Sequence, residues 1–148
     1  GFLGGWRNND SLFGLILAVT ADPYQAKYVA FGILAVVAGW MTFSNRPRES
    51  AALVMIAAML AVSSNVHPWY LTWLLPFLVF HPNRALLAWT ALAPISYVVL
   101  IHFFATNDWN GLTPWRWAIY LPVAILLVFP IEKWTHRGTI KEVPDKVQ

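Results

Sequence analysis

Long apolar runs alternate with short polar breaks along most of the chain. Residues 27–43, 85–104 and 117–131 form three such runs, each near the roughly 20 residues that a helix needs to cross a bilayer. Two shorter runs, residues 51–62 and 71–80, flank a polar break, and another lies at residues 11–19. The pattern predicts an all-α membrane protein with about five transmembrane helices.

The polar break reads SSNVHPWYLTWLLPF, from Ser63 to Phe77. Pro68 disfavours helical backbone at His67 and suits the first turn of a following helix. Residues 51–80 therefore form either a hairpin of two short crossings or one kinked crossing. As one helix they would be about 45 Å long, against a core of ~30 Å. We prefer the hairpin, with its apex below the membrane surface in a protein-lined cavity.

Basic residues fit both topologies equally well. Five crossings with the amino-terminal loop outside place seven Lys and Arg residues inside and three outside, and four crossings with that loop inside give the same division. Both topologies leave the tail in the cytoplasm. We expect an extracytoplasmic loop with a short re-entrant or interfacial helix at 1–25, a transmembrane bundle at 26–131 and a cytoplasmic tail at 132–148.

Composition agrees with a membrane protein. The chain is 58% hydrophobic and 11% charged, with nine tryptophans, whereas soluble domains are about a quarter charged. It has no cysteine, which excludes a disulfide framework and a thiolate nucleophile. The net charge of +3 is explained by loop charges that set topology, so no nucleic-acid partner is expected. The first residue is Gly1, and we expect the carboxy-terminal part of a longer protein.

The break contains the best candidate for chemistry. An ionisable side chain at membrane depth, such as His67, is a functional candidate by default. Trp69, Tyr70 and Trp73 offer flat faces that suit a sugar ring or a polyprenyl chain. The alternative is an interfacial aromatic belt with a turn.

A second candidate is WRNNDSLFG, residues 6–14. Arg7 precedes a helix that starts near Ser11, and free N–H groups beside a guanidinium suit a lipid phosphate. Against this, every helix has such a terminus, and Asp10 would repel an anion. His67, His102 and Asp10 could meet Asp108 around a metal, but no ligand spacing supports this, so neither metal nor cofactor is expected.

The two stretches together resemble the carboxy-terminal half of GT-C-fold glycosyltransferases, most closely bacterial membrane mannosyltransferases that use polyprenyl-phosphate sugars. In that group a Trp-Arg-x-Asn-x-Ser stretch precedes a His-Pro-Trp-Tyr-x-x-Trp-x-x-Pro stretch. The resemblance covers roughly residues 1–135. The matching residues here are Trp6, Arg7, Asn9 and Ser11, followed by His67, Pro68, Trp69, Tyr70, Trp73 and Pro76.

The resemblance implies transfer of a hexose, such as mannose, from a polyprenyl-phosphate donor to a lipid or glycan acceptor at the outer face of a bacterial inner membrane. The catalytic acidic residue would lie in a missing amino-terminal half, without which this chain would be inactive. The roles that the resemblance implies are donor phosphate or sugar binding by Arg7, Asn9, Ser11 and His67, and pocket lining by Trp6, Trp69, Tyr70 and Trp73.

Two other classes of protein stay open: a fragment of a lipid or solute transporter, and a non-catalytic membrane subunit.

Overall fold

The computed structural model describes residues 11–107 and 113–129, and every regular element in these ranges is helical. The all-α class is therefore confirmed for the described part of the chain. The elements, with η marking a 3-10 helix, are α1 (Leu12–Thr20), α2 (Pro23–Phe43), α3 (Arg48–Ala61), η1 (Pro68–Leu74), α4 (Leu75–Phe80), α5 (Arg84–Leu92), η2 (Ala93–Tyr97), α6 (Val98–Thr106) and α7 (Thr113–Val128).

Side-chain caps fix the starts of two helices. The Asp22 carboxylate accepts hydrogen bonds from the N–H groups of Tyr24 (3.1 Å) and Gln25 (3.3 Å), with Pro23 as the first helical residue. The Asp-Pro pair within residues 21–25 predicts a turn there. This prediction is wrong beyond Asp22, because proline and a carboxylate cap also suit the first helical turn. The Asn83 amide oxygen caps α5 by accepting from the Leu86 N–H at 3.0 Å.

Two helix boundaries at the carboxy-terminal end also differ from the sequence interpretation. Residues 105–106 complete α6, and α7 begins at Thr113 rather than at Trp117. The sequence predicts a loop at residues 105–116 with a turn at Thr113-Pro114, but proline is tolerated in the first helical turn, where its missing N–H costs nothing. Pro94 predicts a kink in this apolar run, and the structure has the 3-10 helix η2 there, between α5 and α6.

The polar break separates α3 from a returning segment. α3 ends at Ala61, and His67 has extended backbone (φ −83°, ψ 148°) directly before Pro68, which opens η1. Both η1 and α4 then contact α3. Residues 51–80 are therefore not one continuous helix, and the returning segment lies alongside α3. The number of membrane crossings stays a prediction.

Buried apolar residues form two clusters. The larger one joins α3, η1, α4, α5 and α7, with Leu60, Leu71, Leu74 and Ile119 at its centre. The smaller one joins α1 to α2 and to the end of α3, through Phe13, Ala26, Ala30 and Val62. The second cluster holds the short helix α1 against the end of α3 where the break begins.

Within the described residues, two helices are long and apolar enough to cross a membrane. They are Pro23–Phe43, which is α2, and Arg84–Thr106, which is α5, η2 and α6 together. Only 17% of the α2 window and 22% of the second window are buried inside the protein. Their exposed apolar surface favours membrane association.

Candidate functional site

A hydrogen bond joins the end of the amino-terminal stretch to the polar break. The Ser11 hydroxyl donates to the carbonyl oxygen of Ala61 at 2.9 Å, across 50 positions of sequence. Ser11 occupies the N-cap position of α1 but makes no capping hydrogen bond with its side chain. Its hydroxyl instead ties the start of α1 to the last residue of α3.

The start of α2 lies at this same end of the helices. α2 and α3 contact each other and are joined by a short connection at residues 44–47. Near the start of α2, Ala26 and Ala30 share a buried cluster with Val62, which follows α3 directly. The beginnings of α1 and α2, the end of α3 and the polar break are thus close in space.

Four rings of the break form a continuous aromatic cluster, which we define as His67, Trp69, Tyr70 and Trp73. The His67 and Trp69 rings are stacked, with centroids 4.2 Å apart and planes 5° from parallel. Tyr70 contacts both edge-on, at 5.6 and 5.7 Å, and Trp73 lies 5.3 Å from Tyr70. The 3-10 turn of η1 brings these near neighbours onto one side of the chain.

Much of the aromatic cluster is accessible. Trp69 and Trp73 are each 50% exposed, while η1 buries Pro68, Leu71 and Leu74 against the core. The indole rings therefore stand on a fixed base with large apolar faces open. Such faces suit the C–H surface of a sugar or an isoprenoid chain.

His67 lies in the connection between α3 and η1, outside both helices that could cross a membrane. Burial lowers the pKa of His67 below the usual 6.5, since the charged imidazolium loses hydration. At neutral pH the ring is therefore uncharged, with one N–H donor and one nitrogen acceptor. This form can donate to a phosphate or hydroxyl oxygen without adding a positive charge.

Asn65 contributes a buried acceptor to the break. The Ser63 hydroxyl donates a hydrogen bond to the backbone carbonyl oxygen of Asn65 (3.0 Å). The backbone N–H of Asn65 in turn donates to the hydroxyl oxygen of Ser63 (3.3 Å). Its side-chain oxygen Oδ1 is buried without a hydrogen-bond partner among the described residues. A buried acceptor of this kind calls for a donor, and a ligand hydroxyl or a water would satisfy it.

A cavity of about 260 Å³ opens beside the break, between α1, α2 and α3. Its polar lining comes from Lys27 near the start of α2 and from Ser63 and Ser64 in the break. The rest of its lining is apolar and comprises Phe13, Ala30, Phe31, Leu34, Met59 and Val62. No member of the aromatic cluster lines this cavity, so the two features are separate surfaces near the same break.

The predicted site residues divide into two groups. Trp6, Arg7 and Asn9 lie outside the described residues. Ser11, His67, Trp69, Tyr70 and Trp73 lie within them: the last four form the aromatic cluster, and Ser11 is linked to the break through Ala61.

The sequence did not indicate a binding role for four polar residues in or near the break. Lys27 was interpreted only as a charge that sets topology, and Ser63, Ser64 and Asn65 only as polar interruptions. For Ser63, Ser64 and Asn65 the signal was the concentration of hydroxyl and amide groups between two apolar runs.

Residues 11–107 and 113–129 contain no group of three His, Cys, Asp or Glu residues that could hold a metal ion.

Comparison of the chain with protein-family models, curated proteins and solved structures gave no match.

Proposed function

We propose that this chain is part of a membrane glycosyltransferase that moves a hexose, mannose in the first instance, from a polyprenyl-phosphate donor to a lipid or glycan acceptor. Transfer takes place at the extracytoplasmic face of a bacterial inner membrane. The catalytic acidic residue belongs to a part of the protein that precedes this chain.

The observation that carries the proposal is the hydrogen bond from Ser11 to Ala61. The two motifs that resemble the mannosyltransferases are more than fifty residues apart in sequence, yet the last residue of the first contacts Ala61, the end of α3, six positions before His67. A bipartite site needs the two motifs to approach each other, whereas two unrelated turns do not. This contact supports a single site that includes both stretches.

The break supplies chemistry that suits a sugar phosphate. Neutral His67 offers an N–H to a phosphate or hydroxyl oxygen, and the half-exposed indoles offer faces for the sugar. Arg7, a guanidinium shortly before Ser11 in sequence, would hold the phosphate with parallel N–H donors. The protein would thus bind the donor by charge at the phosphate and by apolar contact at the sugar.

The charge distribution is compatible with an outward orientation of the site. Arg46 lies in the connection between α2 and α3 and Arg48 starts α3, so both are at the end of α3 opposite the break. Excess positive charge favours the cytoplasmic side. The break and Ser11 would then face away from the cytoplasm, as the five-crossing topology requires.

The test is sugar transfer by the complete protein in membranes supplied with radiolabelled polyprenyl-phosphate mannose. His67→Ala and Arg7→Ala, matched to wild type for expression, should each lower transfer about tenfold or more, equivalent to roughly 1.4 kcal/mol of barrier. His81→Ala is the matched control, because His81 also precedes a proline but lies after α4. It should transfer at the wild-type rate.

Other outcomes separate the alternatives. Normal transfer by both His67→Ala and Arg7→Ala would make the break a turn in an aromatic belt and would contradict the proposal. If wild type moves a lipid or solute across the membrane without transferring sugar, the chain belongs to a transporter.

A further inference from the structure

The cavity between α1, α2 and α3 has a polar end and an apolar end. Lys27, Ser63 and Ser64 supply one ammonium group and two hydroxyls, while Phe13, Phe31 and Leu34 supply apolar walls. At about 260 Å³, it is slightly smaller than the roughly 300–1,000 Å³ of most small-molecule sites. A compact polar group with part of one apolar chain fits these dimensions.

The cavity lies at the level where headgroups are expected. Lys27 is near the start of α2, flanked by Tyr24 and Tyr28, whose side chains are 65% and 76% exposed. Exposed tyrosines at the end of a membrane-length helix mark the membrane–water interface. The whole of α2, from Pro23 to Phe43, is about 32 Å long, which matches a hydrocarbon core of ~30 Å.

The apolar wall continues onto the exposed side of α2. Phe31 is 69% exposed although it lines the cavity, and Ala35, one turn further along the same face of α2, is exposed as well. A hydrocarbon chain leaving the cavity could therefore follow α2 toward the membrane centre. This continuity favours a lipid over a water-soluble ligand, which would leave the apolar wall uncovered.

The polar end suits an anion. Lys27 is the one charged residue among those that line the cavity, and the residue is half-buried. Its ammonium group would attract a negative headgroup. The Ser64 hydroxyl makes no hydrogen bond to any residue that the structure describes, while the Ser63 hydroxyl is held in a turn with Asn65. An ammonium group with a neighbouring hydroxyl donor is a fitting environment for a phosphate.

We propose that this cavity binds the phosphate headgroup of an anionic membrane phospholipid, with one acyl chain along the exposed side of α2. The site is separate from the aromatic cluster, and lipid binding needs no sugar transfer. The bound lipid would fill the space between α1, α2 and α3 and so support the position of Ser11 beside the break.

The test is native mass spectrometry of the complete protein in detergent, titrated with phosphatidylglycerol, phosphatidylcholine or polyprenyl monophosphate. Wild type should retain phosphatidylglycerol at about tenfold lower lipid concentration than phosphatidylcholine, because only the first carries net negative charge. Lys27→Met keeps the apolar stem and removes the charge, so it should abolish this preference. Lys27→Arg should keep it.

Arg84→Met is the matched control, since it removes one exposed positive charge from the start of α5, away from the cavity. It should leave the headgroup preference intact. The proposal is overturned if wild type retains both phospholipids equally, or if Lys27→Met and Arg84→Met lose the preference to the same extent. Displacement of phosphatidylglycerol by a lower concentration of polyprenyl monophosphate would also overturn it and assign the cavity to the donor lipid. If Lys27→Met does not fold, the wild-type preference and the Lys27→Arg titration decide the question.

Discussion

Two asparagines show how the same side chain has different consequences in different surroundings. The Asn83 oxygen caps α5 through the Leu86 N–H, so its hydrogen bond stabilises the fold. The Asn65 oxygen is buried in the break and has no partner among the described residues. Burying an unpaired polar group costs roughly 1–3 kcal/mol, and a position that tolerates this cost is a candidate for binding a ligand.

We therefore predict opposite effects for the two alanine variants. Asn65→Ala should leave thermal stability unchanged or slightly higher, because an unpaired acceptor is removed, yet should lower mannose transfer about tenfold or more. Asn83→Ala should lower stability by about 1 kcal/mol through loss of a helix cap and leave transfer per folded molecule unchanged. Thermal unfolding and transfer assays on both variants check this. Equal transfer by both variants would remove Asn65 from the site.

At the scale of elements, the helix α1 owes its position to contacts that are distant in sequence. The cluster around Phe13 and Val62 and the Ser11–Ala61 hydrogen bond hold its start against the end of α3. A net hydrogen bond contributes only about 1 kcal/mol, so the apolar contacts supply most of the attachment. The proposed site depends on this attachment, because the attachment determines where Ser11, the last residue of the amino-terminal motif, lies relative to the break.

Cross-linking tests this arrangement. The chain has no cysteine, so in the double variant Ser11→Cys, Ala61→Cys any cross-link within this chain joins the two introduced thiols. This pair should be joined rapidly by a short thiol-reactive cross-linker in membranes. The control pair, Ser11→Cys with Ser44→Cys, connects α1 to the far end of α2 and should stay unlinked. Equal reaction of both pairs would show that α1 has no fixed place beside α3.

The sequence predicted most of the helices but gave little information about where those helices contact one another. Apolar runs and Pro68 predicted the helices and the break, because both are local properties of the chain. The start of α2 at Pro23 was missed, since an Asp-Pro pair is equally typical of a turn and of a helix start. The cavity beside Lys27 and Ser64 could not be predicted, because it exists only where α1, α2 and α3 come together.

At the scale of the whole molecule, membrane topology decides whether the site faces outward. The returning segment contacts α3, as expected if the two segments cross the membrane separately, but the charges fit four and five crossings equally well. The difference lies in the connection after α2. It is cytoplasmic with five crossings and external with four.

Labelling from outside the cell distinguishes the two topologies. In the five-crossing topology, a cysteine at Asn45 is protected from an impermeant thiol reagent, while one at Asn107 reacts. Four crossings would expose both positions. We predict reaction at Asn107→Cys alone, with full labelling of Asn45→Cys once the membrane is permeabilised. Reaction of both positions in intact cells would exclude the hairpin crossing.

The central claim is that the amino-terminal motif and the break form one site. The most direct measurement is a double-mutant cycle on kcat/KM for mannose transfer, using Arg7→Ala, His67→Ala and the combined variant. Residues that bind one ligand couple by about 0.5–3 kcal/mol, so the combined loss should be clearly smaller than the product of the single losses. Two losses that multiply fully would place Arg7 and His67 in independent environments and contradict the account.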